Sequence, residues 1–369
     1  MSGPVGVLGA SGAVGSAAVL ALRAQGVGGL RLGARGIAAL AGSQAEVMAV
    51  DLDRPDRLAR FCAGCAVVLN CAGPSYRVRG RVAEAALAAG ADYVDVAGDE
   101  PAHADLSGRD LAGLGRRAVL SAGMLPGLSG LLPRWLAAQQ PGGAHGGELT
   151  VWSGGLERCS RTVAADLVLS AGAAPDGGGP YGEPLAAWRS GRRESRALRS
   201  RDDVELPFFP GPVALRPYLS GEAERLARAL RLDRVDWFNA FPGRRVRDVL
   251  ATLGGSGRPP GEDADRLARA CAMDLAGHRP YYRMVFALRS AAGATATATL
   301  GTADSCRLTG AVGALAVTET LAGRVPPGLH FAAEVLDPGR AARLIGPALG
   351  ATLDVSHLPL EPAAVVGAL

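Results

Sequence analysis

Lysine is absent from the chain, and all 39 basic residues are arginine. Without a lysine amine there is no Schiff-base nucleophile and no lysine acid or base. Charge of either sign is also in short supply: 35 acidic residues leave a formal net charge of only +4. The arginines are scattered and aromatics make up 5% of the sequence, so nucleic acid is not an expected partner. No uncharged apolar run reaches the roughly 20 residues of a membrane span. The first residues read as strand rather than as a charged start before an apolar signal core, and a cytoplasmic location is expected. Six cysteines are then expected as reduced thiols. Cys62 and Cys65 form a CxxC, but no second such pair or nearby histidine accompanies it. Zinc is therefore not expected, and a structural role is. There is no internal repeat.

What the chain does have is length, 369 residues, with 48% hydrophobic residues and 52 glycines. That is enough for roughly two domains with real cores. The organising stretch is Val5-Gly6-Val7-Leu8-Gly9-Ala10-Ser11-Gly12-Ala13-Val14-Gly15. A short apolar run ends in glycines at GxxGxxG spacing, and an apolar, Ala-rich helix pattern follows from Ser16. Strand, tight turn and helix are the context in which such glycines let the backbone approach a diphosphate. Gly9, Ser11, Gly12, Ala13, Val14 and Gly15 are the expected contacts.

The second strand, Gly29 to Gly36, ends without the acid that would bond the ribose hydroxyls of NAD. Arg35 stands there instead, and its fork and charge suit a 2′-phosphate. NADP(H) is therefore expected over NAD(H), against the plainer reading of Arg35 as a solvated loop residue. Asp51, at the exit of a third strand, is read either as an adenine contact or as a cap for the next helix. Further strands at 66–70, 91–100 and 117–121 alternate with helices. The pattern is α/β, a Rossmann-type doubly wound parallel sheet. Its ligand edge is formed by the loops 71–76 and 97–103.

From Glu148 the pattern changes. Short alternating strands, helices at 161–172, 221–230 and 307–321, and paired strands at 281–289 and 295–300 predict an α+β domain on a mostly antiparallel sheet. A loop is expected at 177–179. Expected boundaries are 1–125 for the Rossmann domain and 126–340 for an α+β substrate and dimerisation domain. The segment 341–369 is expected to return to the Rossmann domain. A homodimer is compatible with this plan.

Four stretches together resemble the saccharopine dehydrogenase-like reductases. They are Gly9–Gly15, Val68-Leu69-Asn70-Cys71-Ala72-Gly73-Pro74, Tyr93-Val94-Asp95-Val96-Ala97-Gly98, and Gly123-Met124-Leu125-Pro126-Gly127-Leu128-Ser129. The resemblance covers the first 140 residues well and the rest weakly. It implies a nicotinamide cofactor, often C=N chemistry, and places Cys71, Ala72, Gly73 and Pro74 beside the cofactor. Saccharopine enzymes proper use an ionisable Lys or His near the imine, and this chain offers no Lys. In length and organisation it looks closer to the thiazolinyl imine reductases of pyochelin-type siderophore assembly. That branch implies a thiazoline held on a nonribosomal peptide synthetase carrier domain and reduced to a thiazolidine.

Reduction of C=N needs alignment of the reacting carbons and a proton for the nitrogen. Tyr76, directly after Pro74, and His103 are the expected donors; Asp99 and Glu100 are expected to orient His103 or polarise the substrate. The plainer readings are packing for Tyr76, a surface position for His103, and helix capping for the two acids. His278, Tyr281 and Tyr282 form a polar-aromatic group read as packing. The arginine run 189–201 is either a solvated loop or a docking strip for an acidic carrier domain. Two other functions remain open: a saccharopine-like or enoyl-type reductase of a free metabolite, and a non-catalytic NADP(H) redox sensor.

Overall fold

The computed structural model describes residues 3–140, 142–171, 182–253 and 257–357. The loop expected at 177–179 lies outside the described residues. Two compact units emerge: Met1–Leu131 with Ser305–Leu344, and Leu132–Asp304 with Ile345–Leu369.

In the first unit β1 (Val5–Leu8) leads through the glycine turn into α1 (Ala13–Ala24). Then come β2 (Leu30–Ala34), β3 (Glu46–Ala49), α2 (Pro55–Cys62), β4 (Val67–Asn70), α3 (Ser75–Val78), α4 (Arg81–Ala88), β5 (Asp92–Asp95), α5 (Glu100–Leu106) and β6 (Arg117–Leu120). The central strands β1, β4 and β5 are buried throughout. Burial on both faces is why β1 and β4 read as near-continuous apolar runs rather than alternating ones, while β5 buries Asp92 and Asp95 at its two ends. Helix α6 (Leu128–Ala138) follows.

The second unit holds β7 (Glu148–Leu156), α7 (Arg161–Ala171), β8 (Gly182–Pro184), β9 (Ala187–Arg189), β10 (Arg192–Glu194), β11 (Arg201–Val204), β12 (Val213–Ser220) and α8 (Gly221–Leu230). It continues with β13 (Arg234–Phe241), α9 (Arg244–Thr252), α10 (Pro260–Leu275), β14 (Tyr281–Arg289) and β15 (Thr295–Thr302). The arginine run expected as a loop is instead partly a hairpin, β9 against β10. It forms because Trp188 is buried and its indole N–H donates to Leu232 O at 3.1 Å.

The chain then re-enters the first unit with α11 (Ser305–Leu321), β16 (Gly328–Phe331), α12 (Ala332–Val335) and α13 (Pro338–Leu344). Its last described strand is β17 (Ala351–Ser356). The first sheet has order β16-β6-β5-β4-β1-β2-β3, parallel throughout. Strand order reverses between β1 and β4, the crevice where such sheets bind dinucleotides. The second sheet runs β10-β9-β13-β7-β14-β15-β17, with β12 also pairing β13. Only β13 with β7 is parallel among its described pairs; the others are antiparallel.

The expected boundaries need correcting. The return to the parallel sheet starts at Ser305, inside the span assigned to the second domain, and β16 adds its seventh strand. After Leu344 the chain does the opposite of what was expected: β17 pairs with β15 in the second sheet. The cause lies in α11, an apolar helix with small residues. A Cβ on Gly310 would stand 2.5 Å from Ala18 N of α1, and one on Gly313 would stand 2.8 Å from Val96. Their absence lets α11 lie directly on α1 and on the strand ends, which fixes it to the parallel sheet.

Candidate cofactor site

The turn after β1 is built by backbone contact. Gly9 has φ +78°, and a Cβ there would stand 2.8 Å from Ala72 N. A Cβ on Gly15 would stand 2.1 Å from Gly9 O. The turn closes through Gly12 N donating to Gly9 O at 2.9 Å, while Gly9 N and Ala10 N both donate to Gly33 O. Ser11, Gly12 and Ala13 are exposed. Ser16 N donates to Gly12 O at 2.9 Å, which leaves the N–H groups at the very start of α1 outside the helical ladder. Donors, positive dipole end and missing side chains together make a cradle for a diphosphate.

Arg35 is exposed, one residue past the end of β2, and no acid stands at that strand end. Asp51 is exposed beyond β3, and its carboxylate accepts the Asp53 N–H at 3.1 Å. It shapes a turn and does not cap α2, whose N-cap is Arg54.

Across the crevice, the loops after β4 and β5 are tied together by a buried polar network that the sequence reading missed. Asn70 and Asp95 are register partners at the ends of the two strands. Asn70 Nδ2 donates to Asp95 Oδ2 at 3.0 Å, and Asn70 Oδ1 accepts Ala72 N at 3.1 Å. Asp95 Oδ1 accepts Ala97 N at 2.9 Å and Gly98 N at 2.8 Å. The Tyr93 hydroxyl donates to Asp95 Oδ2. Burial, the Asp95 charge and that hydrogen bond push the Tyr93 hydroxyl well above the usual phenol range. It stays a donor. Burial and the Asp95 charge likewise push the Cys71 thiol up, so it is no nucleophile. The signal in the sequence was an amide and a carboxylate each closing an apolar strand.

Cys71, Ala72, Gly73 and Pro74 are half-buried in the loop that faces Gly9. Tyr76 is half-buried in α3, next in the chain. Asp99 sits at the N-cap of α5, yet its side chain makes no capping hydrogen bond, and Glu100 opens the helix. His103 is half-buried and stacks on Phe331 from the end of β16, ring centroids 4.9 Å apart and planes at 12°. The contact depends on β16 joining β6, a return of the chain that begins earlier than the expected 341–369. Tyr76 and His103 thus follow neighbouring strands at the carboxyl edge, on the β4 side of the switch point.

The other sequence expectations fall in the second unit. Within the arginine run, Arg189 pairs with the buried Asp236 at 2.6 Å, and Arg193 pairs with Glu224 at 2.5 Å and Glu183 at 3.5 Å. Those two are part of the fold; Arg192, Arg196, Arg199 and Arg201 are exposed. His278 and Tyr281 line a cavity of about 500 Å³ together with Arg244, Arg245, Arg247 and Asp274. Asp274 accepts the N–H groups of Arg245 and Val246, and Arg247 pairs with Asp203 at 3.2 Å. The Arg247 Nε is buried without a hydrogen-bond partner. Burial raises Tyr281 above the usual phenol range. Tyr282 is raised further by burial and by Glu157, against its hydrogen bond with Ser153.

Residues 5–108 match the family model described as the saccharopine dehydrogenase NADP binding domain. The cofactor is NADP(H). The glycine cradle and the acid-free end of β2 fit that group. Saccharopine dehydrogenase (L-Glu forming) of Saccharomyces cerevisiae is similar in fold, with a TM-score of 0.63 at 15% identity over 97% of this chain and 100% of that one. The WlbA dehydrogenase of Thermus thermophilus, solved with NAD and UDP-GlcNAcA, covers 93% of this chain and 92% of its own at 13% identity and a TM-score of 0.42. A triphenylmethane reductase from Citrobacter sp., complexed with NADP(H), matches 25% of this chain and 36% of its own at 24% identity and a TM-score of 0.23. No curated protein sequence matches significantly. The chain therefore carries a saccharopine dehydrogenase-like NADP-binding domain, which points to an oxidoreductase. Among the described residues no helix is long and apolar enough to cross a membrane.

Proposed function

We propose that the chain is an NADPH-dependent reductase of a C=N bond, and that its substrate is a thiazoline tethered to a nonribosomal peptide synthetase carrier domain. The observation that carries the reading is Arg35 at the acid-free end of β2, in a domain of the saccharopine dehydrogenase type. Bound NADPH supplies the hydride. The cradle of Gly9, Gly12 and Gly15 holds the diphosphate, and Arg35 holds the 2′-phosphate. The loop from Cys71 to Pro74 walls the nicotinamide side. A proton for the ring nitrogen comes from Tyr76 or His103, with Asp99 and Glu100 shaping the field around His103. The exposed arginines at 192, 196, 199 and 201 are the residues that would steer an acidic carrier domain.

A second reading is favoured by the cavity in the second unit. Arg245 and Arg247 there pair with Asp274 and Asp203 of the same lining, and Arg244 beside them suits the carboxylate of a free substrate. That would make the chain a saccharopine-like or enoyl-type reductase of a free metabolite.

The deciding experiment is NADPH oxidation with a 2-arylthiazoline offered free and on a phosphopantetheinylated carrier domain. Turnover of the tethered form, lost at high salt while the free analogue is spared, supports the first reading. Equal salt sensitivity discards carrier docking. Activity confined to free imino or enoyl acids supports the second reading. NADPH binding with no turnover of any of these substrates leaves the sensor.

A further inference from the structure

Arg79 closes α3 with φ 49° and ψ −134°. That is the mirror image of the extended region, which glycine adopts freely and an L side chain does not. A backbone held there needs support from its surroundings. The support comes from Asp105 on α5. Its carboxylate accepts Arg79 Nε at 3.1 Å and Arg79 Nη2 at 2.6 Å, a two-pronged, charge-assisted contact. Asp105 Oδ2 also accepts the N–H of Gly80, the N-cap of α4, at 3.1 Å. Glycine at that position leaves room for the approach: a Cβ on Gly80 would stand 2.8 Å from Asp105 Cβ. The same segments meet in the core, where Val78, Val82, Ala102 and Leu106 belong to one buried cluster. Tyr76 lies three residues before Arg79, on the single turn of α3, and His103 lies two residues before Asp105 on α5. One carboxylate therefore ties the segment that carries Tyr76 to the segment that carries His103.

We propose that Asp105 is a positioning residue: it holds the strained turn at Arg79 and so fixes Tyr76 on α3 relative to His103 on α5. The inference rests on the reading that one of these two side chains delivers the proton to the imine nitrogen. Asp105 acts through the backbone at Arg79 and Gly80. The Arg79 and Asp105 side chains are 51% and 30% exposed, and an ion pair that open to water contributes little by its charges alone. The backbone it supports is what sets this pair apart. Without the clamp, Arg79 relaxes to a negative φ, and a rotation at that residue re-aims the short helix before it. Strain of this kind, kept in place by surrounding contacts, is how a site holds a side chain in one orientation.

The test combines amide hydrogen exchange of the full chain with steady-state kinetics on a 2-arylthiazoline. Asp105→Asn keeps the size of the side chain and removes its charge. Exchange over residues 75–80 should rise about tenfold, while the segment from β1 into α1 stays as protected as before. The kcat should fall about tenfold and the KM for NADPH should stay within about twofold. Adding Arg79→Gly to Asp105→Asn should recover most of both losses, because glycine takes the turn unaided. Adding Arg79→Ala should recover neither. Recovery on deleting the second partner is not what a merely stabilising ion pair gives. Unchanged exchange over 75–80 in Asp105→Asn would overturn the clamp, and raised exchange with unchanged kcat would overturn the positioning role. A wild-type protein that turns over no imine strikes the reading of proton delivery, and the exchange data then decide the clamp alone. Should Asp105→Asn fail to fold, Arg79→Ala in the wild-type background removes the two-pronged contact, keeps the Gly80 bond, and carries the same comparison.

Discussion

Asn70 Nδ2 donates to Asp95 Oδ2 at 3.0 Å across the carboxyl ends of β4 and β5. Each partner also holds its own loop, Asn70 through Ala72 N and Asp95 through Ala97 N and Gly98 N. The pair therefore sets the spacing of the two loops that carry Tyr76 and His103. Asp95→Ala leaves two backbone donors, an amide and a phenol unmatched in a buried site. It should cost about 3–4 kcal/mol, against about 1–2 for Asn70→Ala. Denaturant unfolding of both single variants and the double variant measures it. A double-mutant cycle with no coupling would mean the loops are held separately.

Gly15 makes the cofactor cradle testable by geometry alone. A Cβ there would stand 2.1 Å from Gly9 O, which is backbone and cannot swing aside. Gly15→Ala should therefore abolish the NADPH fluorescence change. Gly26 is the control: its φ is +82°, but nothing lies within 4 Å of an added Cβ. Gly26→Ala should cost about 1 kcal/mol of stability and leave NADPH binding intact. Loss of binding in both variants would point to a general folding defect rather than to the cradle.

Much of the parallel sheet was legible because β1 and β4 are apolar runs closed by Gly9 and Asn70, and strands alternate with helices along the chain. The glycine turn was legible for the same local reason: strand, turn and helix are neighbours in the chain. What stayed hidden needed long-range pairing. Phe331 reaches His103 only because β16 joins β6, and nothing near either residue announces that. The Asn70–Asp95 contact follows from β4 pairing with β5 in register. The hairpin within the arginine run 189–201 was hidden because the partners of Trp188, Leu232 and Val235, come from later in the chain.

Arg35 gives the cofactor preference its own test. The side chain is exposed at the end of β2, so its removal leaves the fold untouched. A charge-assisted contact to a 2′-phosphate contributes about 1.5–3 kcal/mol, or roughly ten- to a hundredfold in KM. Arg35→Ala should raise the KM for NADPH by that factor and change the KM for NADH little. Steady-state kinetics with both coenzymes measures the ratio. Equal changes in the two would remove Arg35 from this role.

Glu319 links stability to pH in the unit that binds the cofactor. It is buried on α11 and accepts from Arg324 at 2.6 and 2.7 Å and from Arg340 at 3.0 Å. The Arg324 hydrogen bond, then the Arg324 and Arg340 charges, hold its carboxyl below the usual glutamate range, against the opposing effect of burial. A depressed carboxylate pKa contributes stability that is fully present above the unfolded value, about 4.3. That contribution fades as pH falls through the lower folded value. Glu319→Gln keeps the shape and removes the charge. Both arginines are partly exposed and can be hydrated once unpaired, so the loss at neutral pH should be about 1–2 kcal/mol. The gap between wild type and variant in urea midpoint should be widest at neutral pH and should narrow below about pH 4. A gap that is constant from about pH 7 to 3 would mean that the carboxylate's charge contributes nothing and that the loss comes from placing an amide donor against the two arginines.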